Sequence, residues 1–237
     1  VKALLIPSLF ILCANAYAEA TSLSAVDTET ESFRAAIGVA RNTAALKNTD
    51  ISYSNEYSAS TYEAEGFDAW ALTGEVKRQT SLDWFNQFWF WDLSLSISEK
   101  NKSTLDSGLC LVQNQFTEGT YDVDCDVVME EQVHSLNSTL LTLHKLNSDW
   151  YANYGFGVGI YNIRRELRVK ASGYDSKELE RISNYALAPH IKLGIGFKRV
   201  ELSYTLAPGI GDDELGEGAF HQINLSYGAW QKHPVKE

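Results

Sequence analysis

The run Tyr151-Ala152-Asn153-Tyr154-Gly155-Phe156-Gly157-Val158-Gly159-Ile160 decides how the rest of the chain is read. One set of alternating positions carries Ala152, Tyr154, Phe156, Val158 and Ile160, and the other carries Tyr151, Asn153 and three glycines. Strand side chains point alternately to opposite faces, so this is a strand with one apolar face and one polar or empty face. Residues 185–198 repeat the pattern: Tyr185, Leu187, Pro189, Ile191, Leu193, Ile195 and Phe197 stand against Ala186, Ala188, His190, Lys192, Gly194, Gly196 and Lys198.

Carried along the chain, the same period predicts eight strands at about 32–42, 67–79, 86–99, 134–146, 150–164, 183–198, 199–207 and 219–230. Connections around Ser81-Leu82-Asp83, Asn147-Ser148-Asp149 and Lys198-Arg199 are short. Those over 43–66, 100–133, 165–182 and 208–218 are long. An even strand number with tight turns on one rim and long loops on the other predicts an all-β, antiparallel, up-and-down transmembrane β-barrel. Ten strands would fit if segment 100–133 hides another hairpin.

The apolar face could point inward, as in a soluble lipocalin-like barrel, or outward to lipid. Glycines and small residues mixed with charges on the polar face suit a narrow, side-chain-filled interior. Strands of about 12 residues exceed the globular mode and are long enough to cross a bilayer. Trp84, Trp89, Trp150 and Trp230 gather at the short-turn rim with Phe33, Phe197 and Tyr227, while Phe67, Trp70, Tyr185 and Phe220 fall at the other end. Aromatics at two levels are what the two membrane interfaces select. The oily face is therefore expected to face lipid.

Residues 1–18 read as a secretory signal peptide: Lys2, an apolar middle from Leu4 to Leu12, and Ala16-Tyr17-Ala18. Export through the general secretory route follows, with 19–31 a flexible N-terminal segment, 32–230 the barrel and 231–237 a tail. A net charge of −11 argues against a nucleic-acid partner. Aromatic residues make up 12% of the chain, yet no stretch is long and apolar enough for a transmembrane helix, which leaves strands to do any crossing.

On Asn153-Tyr154-Gly155-Phe156-Gly157-Val158-Gly159, on Gly194-Ile195-Gly196-Phe197 and on Ile223-Asn224-Leu225-Ser226-Tyr227-Gly228-Ala229-Trp230, the chain resembles the small eight-stranded outer-membrane barrels of Gram-negative bacteria, the OmpA/OmpX type. The resemblance covers residues 32–230 and implies a monomer set among outer-membrane lipid and lipopolysaccharide. Trp230 is out of phase with Ile223, Leu225 and Tyr227, which a local bulge would accommodate. No catalytic motif of the lipid-modifying members is recognised.

Cys110 and Cys125, an even pair in an exported chain, are expected to form a disulfide across a hairpin that continues the barrel strands outward, each opposite the other. Asp122, Asp124 and Asp126 lie on one strand face; cation binding there is weighed against a solvated acidic edge, and the calcium-loop pattern fails at Val127 and Val133. Asp212, Asp213, Glu214 and Glu217 get the same reading. Arg34, Glu75, Lys77, Asp92, His144, His190, Lys192 and Glu201 are expected to project inward as a paired network. His190 beside Ser203, or His221 near Ser226, is the nearest approach to a catalytic pair. Ser52, Tyr53, Tyr57 and Tyr62 give the first long loop an adaptable surface. The sequence thus points to a non-enzymatic barrel without cofactor or metal, with a structural or surface-interaction role and an outside partner reached through its loops. A small pore and an outer-membrane lipid-modifying enzyme are the alternatives.

Overall fold

The computed structural model describes residues 33–46, 50–54, 59–63, 67–84, 87–113, 120–173, 176–210 and 218–232, and among them there is no helix. Residues 1–18, expected as a signal peptide, the segment 19–31 and the acidic residues Asp212, Asp213, Glu214 and Glu217 lie outside the described residues. Among the described residues eleven strands form: β1 Phe33–Leu46, β2 Asp50–Ser54, β3 Ala59–Glu63, β4 Phe67–Trp84, β5 Gln87–Ser98, β6 Asn101–Gln113, β7 Thr120–Lys145, β8 Trp150–Ala171, β9 Lys177–Phe197, β10 Val200–Ile210 and β11 Gly218–Lys232.

Hydrogen bonding runs β5-β4-β1-β11-β10-β9-β8-β7, and β7 returns to β5 from Trp89↔Thr142 to Ile97↔His134. Every neighbour is antiparallel. Eight strands therefore close a ring, which leaves no free edge at the level of the seam. β6 adds to the far half of β7, and β2 and β3 pair separately as a hairpin within the first long connection.

The short turns have local causes. Asn147 Oδ1 accepts the amides of Asp149 and Trp150, each at 2.9 Å, an Asx turn that reverses the chain between β7 and β8. Lys198 adopts a positive φ of 52° in the two-residue link from β9 to β10, as a tight hairpin demands. At the seam of first and last strands, Ala35 pairs with Trp230 but Ala36 with Gly228, so Ala229 is the extra residue of a bulge. That bulge carries the change of phase before Trp230.

The faces are inverted relative to a soluble barrel. Phe156 is 57% exposed and Val158 54%, while Asn153, on the other face, is buried. Leu72, Leu95, Ile195, Leu202 and Leu225 are also exposed, so an apolar surface surrounds the ring. Exposed oily side chains around a closed hydrogen-bonded wall suit hydrocarbon as solvent, where every backbone polar group must be paired. This excludes the soluble lipocalin-like reading.

The long connections expected at 100–133 and 165–182 are mostly strand. β7 has 26 residues, β8 22 and β9 21. About 9–11 tilted residues cross a bilayer, so the halves of these strands away from the short turns stand beyond it. There β6, β7, β8 and β9 form a sheet extension. Its inward-phase side chains Val127, Met129 and Leu167 are buried, with Leu105, Val169 and Leu179 against them. A buried apolar face explains why the chain stays extended instead of looping.

Candidate functional site

The buried inward side chains fall into three levels along the lumen. Nearest the short turns lies a balanced ionic lattice. Lys77 Nζ donates to both Glu201 oxygens at 2.6 Å and lies 2.9 Å from Glu75 Oε1. Arg34 Nη1 donates to Glu201 Oε2 at 2.6 Å and also to Tyr151 Oη, and Tyr151 Oη itself donates to Glu201 at 3.0 Å. Lys192 Nζ reaches across from β9 to Glu75 at 2.7 Å and Asp92 at 2.6 Å. Because β9 stands opposite β4 in the ring, these contacts span the lumen. Three cations meet three carboxylates, all buried, and a buried charge without a partner would be expensive. Tyr151 has room because its ring lies over Gly196, where a Cβ would collide with it.

The middle level is neutral. Asn42 Nδ2 donates to Ser96 Oγ at 3.0 Å, Gln222 Nε2 donates to Asn42 Oδ1 at 2.9 Å, and Thr73 Oγ1 donates to Asn224 Oδ1 at 2.8 Å. Thr139 Oγ1 and His190 Nε2 are 2.7 Å apart. Toward the long connections the interior turns apolar. Ala44, Phe67, Ala69, Val133, Tyr161, Ile163, Ala186, Ala188, Ala207, Ile210 and Phe220 pack together, drawn from seven of the eight ring strands. Tyr161 and Phe220 rings sit 5.0 Å apart, centroid to centroid.

A second constellation lies on the outward phase of the sheet extension, beyond the lipid-facing belt. Glu166 is only 1% exposed although its neighbours on this face look outward. It takes Arg164, with Arg168 at 3.0 Å and Lys100 and Arg181 each at 3.6 Å. Glu130 takes Lys100 at 3.0 Å, Lys102 at 3.1 Å and Arg168 at 3.9 Å, and Glu178 lies 3.6 Å from Arg168. Burial opposes ionisation of Glu130, but hydrogen bonds from Lys100 and Lys102 outweigh it and hold the carboxyl at about 2. Glu166 is lowered in the same way, against burial, by hydrogen bonds from Arg164 and Arg168. On the inward phase, Arg165 Nε donates to Glu131 Oε1 at 2.8 Å; burial pushes the Glu131 carboxyl up and Arg165 only partly offsets it.

Of the side chains expected in the inward network, Arg34, Glu75, Lys77, Asp92, Lys192 and Glu201 meet in the ionic lattice, and His190 lies in the neutral level above it. His144 does not join them. It stacks on Tyr154 at 5.2 Å, on the phase shared with Phe156 and Val158. The cause is parity: Leu140 and Leu141 are both apolar, and it is Leu141 that turns inward. His190 is bonded to Thr139 and not Ser203, and His221 Nδ1 lies 2.6 Å from Tyr204 Oη on the outer phase, away from Ser226. Neither histidine stands with a serine as a nucleophile and base would.

Cys110 and Cys125 are bonded, with Cα atoms 5.8 Å apart, but they are not directly opposite. Cys125 pairs with Gly108 and Cys110 with Val123, after a register shift between Thr104 and Asp106. Asp126 accepts from Ser107 Oγ at 2.7 Å, and among the described residues no group of His, Cys, Asp and Glu is placed to hold a metal ion.

For the aromatic levels, Trp150 packs on Phe197 at 4.9 Å, Trp70 lies under Arg41 at 5.7 Å, and Tyr185 and Tyr227 are exposed. Trp89 is buried instead of facing lipid, and Phe67 and Phe220 point into the lumen. The side chains of Trp84 and Trp230, and those of the first-loop Ser52, Tyr53 and Tyr62, lie outside the described ones; Tyr57 is not among the described residues. Trp91, not expected at the interface, is exposed and donates Nε1–H to Ser138 Oγ at 2.8 Å.

A closed ring with an apolar exterior and ion pairs across its axis defines an eight-stranded transmembrane β-barrel, the architecture of small outer-membrane proteins. No protein-family model matches the chain, and no curated protein does. Solved structures similar to it include Ail, the attachment invasion locus protein of Yersinia pestis, in complex with the heparin analogue sucrose octasulfate. Identity is 11%, over 83% of this chain and 96% of that one, with a TM-score of 0.43. Neisserial surface protein A is similar at 8% identity over 82% of this chain and 94% of that one, with a TM-score of 0.48.

Proposed function

We propose that the protein is a monomeric outer-membrane barrel whose lumen is closed to solutes and whose work is structural and surface-directed, done by the segments beyond the membrane on the long-connection side. The observation that carries this reading is the stack of ionic, neutral and apolar side chains across the axis, which leaves the exposed extension as the part able to meet an outside partner. An eight-stranded ring is only wide enough for side chains to fill it, which supports closure over conduction.

The test is twofold. Purified protein in detergent should migrate faster on gels unboiled than boiled, and a band that does not shift would count against a compact membrane barrel. In planar bilayers the inserted protein should be electrically silent; steady single-channel steps would replace this reading with a pore. Substituting a short neutral turn for residues 103–128 should leave insertion intact and abolish binding to any outside partner found for the native protein.

A further inference from the structure

The backbone of β6 presents an edge that the fold leaves open. Among the described residues β6 pairs with β7 alone, and a register shift between Thr104 and Asp106 sets its phase. Asp124 accepts the Ser172 amide at 2.8 Å, so at this level the even-numbered backbone groups of β7 turn to β8 and the odd-numbered ones to β6. Their partners on β6 are Asp106, Gly108 and Cys110, opposite Val127, Cys125 and Val123. The amides and carbonyls of Ser107, Leu109, Leu111 and Gln113 therefore point away from the sheet. The Ser107 amide agrees with this phase, since it donates to Asp106 Oδ1 at 2.8 Å.

β9 has a second edge without a strand neighbour among the described residues, because its pairing with β10 stops at Ile191↔Leu206. That edge is guarded. Pro189 has no amide, Asn184 Oδ1 takes the Tyr185 amide at 2.6 Å, and Lys177, Glu178, Glu180 and Arg181 put charge along the strand. Charge and proline are the ordinary means of preventing edge pairing. β6 carries such guards only as far as Lys102, its bulge and Asp106. From Ser107 to Gln113 it holds no charge and no proline, in a chain whose net charge is −11. Leu109 is 70% exposed, a side chain at Gly108 would meet nothing, and the Cys110–Cys125 bond fixes this stretch to β7.

We propose that residues 107–113 of β6 pair antiparallel with the same residues of a second copy standing in an apposed membrane, which makes the extension a homophilic adhesion surface. The inference rests on the outer-membrane reading above and specifies the outside partner. β6 climbs from Asn101 at the ring to Gln113 at the tip, so two copies in one membrane present edges that run the same way. Copies in facing membranes run oppositely, as a twofold, self-complementary edge pair requires. With Leu111 on the axis, residues 109, 111 and 113 of the two copies exchange about six backbone hydrogen bonds. Leu109 pairs with Asp124, and the lipid-facing Leu136 lies lower on the same strand. At about 3.3 Å per residue and a tilt near 40°, the edge stands about 30 Å above the lipid belt. The acidic row Asp122, Asp124 and Asp126 lies one strand in from the edge. In the pair the two rows are therefore about 14 Å apart, beyond the Debye length of about 8 Å. So short a strand pair buries far less than the about 1,200 Å² of a stable complex, so single copies stay monomeric and adhesion comes from many pairs at once.

The experiment uses the full-length protein inserted into two sets of phosphatidylcholine vesicles, one carrying donor dye and one acceptor dye, with the outward position of the extension checked by protease access. When both sets carry the protein, energy transfer should exceed that between one coated and one bare set at least about tenfold, through the avidity of many weak pairs. L111P deletes an edge amide without touching the β6–β7 ladder, and L109K adds the missing guard. Each should return transfer to background while keeping the heat-modifiable migration. S183K, on the already guarded edge of β9, should change nothing. A photo-crosslinking residue at position 113 should capture residues 107–113 of the other copy. Raised salt should preserve the clustering; its collapse would show ionic contact in place of edge pairing and overturn the inference. So would transfer no greater than with one bare set, clustering untouched by both L111P and L109K, or a crosslink to another segment. A wild-type chain that never becomes heat-modifiable would instead sink the outer-membrane reading, so the two failures are distinguishable.

Discussion

Glu201 holds more of the lumen together than any neighbour: Arg34, Lys77 and Tyr151 all donate to it. Truncating it leaves two buried cations short of a partner, and breaking a buried pair from one side costs about 3–5 kcal/mol. E201A should therefore lower the urea midpoint of the detergent-solubilised barrel by that equivalent; an unchanged midpoint would mean that water already screens the lattice. Glu130 sets a different test. Its carboxyl is held well down in the folded protein, so its contribution is complete above the ordinary glutamate range and is lost as pH falls through about 2. Hydrogen exchange, corrected for intrinsic rate, should stay slow in Asn101–Gln113 at pH 5 and accelerate as pH approaches 2, with the ring strands unaffected. Protection that ignores pH would contradict this assignment.

At the level of elements, what the sequence reveals and what it hides have separable causes. β8 and β9 were readable from alternation because Phe156, Val158, Leu187 and Ile195 share one face without exception. The inward expectation for His144 fails because Leu140-Leu141 erases the alternation that fixes parity. The apolar level made by Phe67, Tyr161 and Phe220 is hidden in the sequence because inward apolar residues break the inversion that distinguishes the two faces. Arg165-Glu166-Leu167-Arg168 reads as loop since its charges conceal the single apolar phase, Leu167, that keeps β8 extended. The clue in sequence was the every-other-residue placement of Arg164, Glu166 and Arg168.

The same extension gives the disulfide its consequence. In the chain-entropy model a loop of the observed 15-residue separation is worth up to about 3 kcal/mol. C110S/C125S should loosen β6 and the far half of β7, read as faster proteolysis there, while the membrane ring keeps its gel shift. Loss of the shift would show that the ring depends on its extension.

For the molecule as a whole, the outward face sets the energy of residence in lipid. Phe156 lies midway along the exposed apolar run of β8, and an arginine at the bilayer midplane of a barrel costs about 2–4 kcal/mol. F156R should shift the unfolding midpoint in phospholipid vesicles by that amount, and an equal shift in aqueous detergent would argue against a bilayer contribution.

The ion pairs join segments that are far apart in the chain: Arg34 to Glu201 across 167 positions, Lys192 to Asp92 across 100. Until first and last strands meet, Arg34 stands apart from Glu201 and Lys192 from Glu75 and Asp92, with only Lys77 keeping Glu75 beside it on its own strand. A half-built, open wall would carry them bare into oil. Entry into the bilayer and sealing of the ring must therefore be one event, and a stalled intermediate should be found at the membrane surface, never within it.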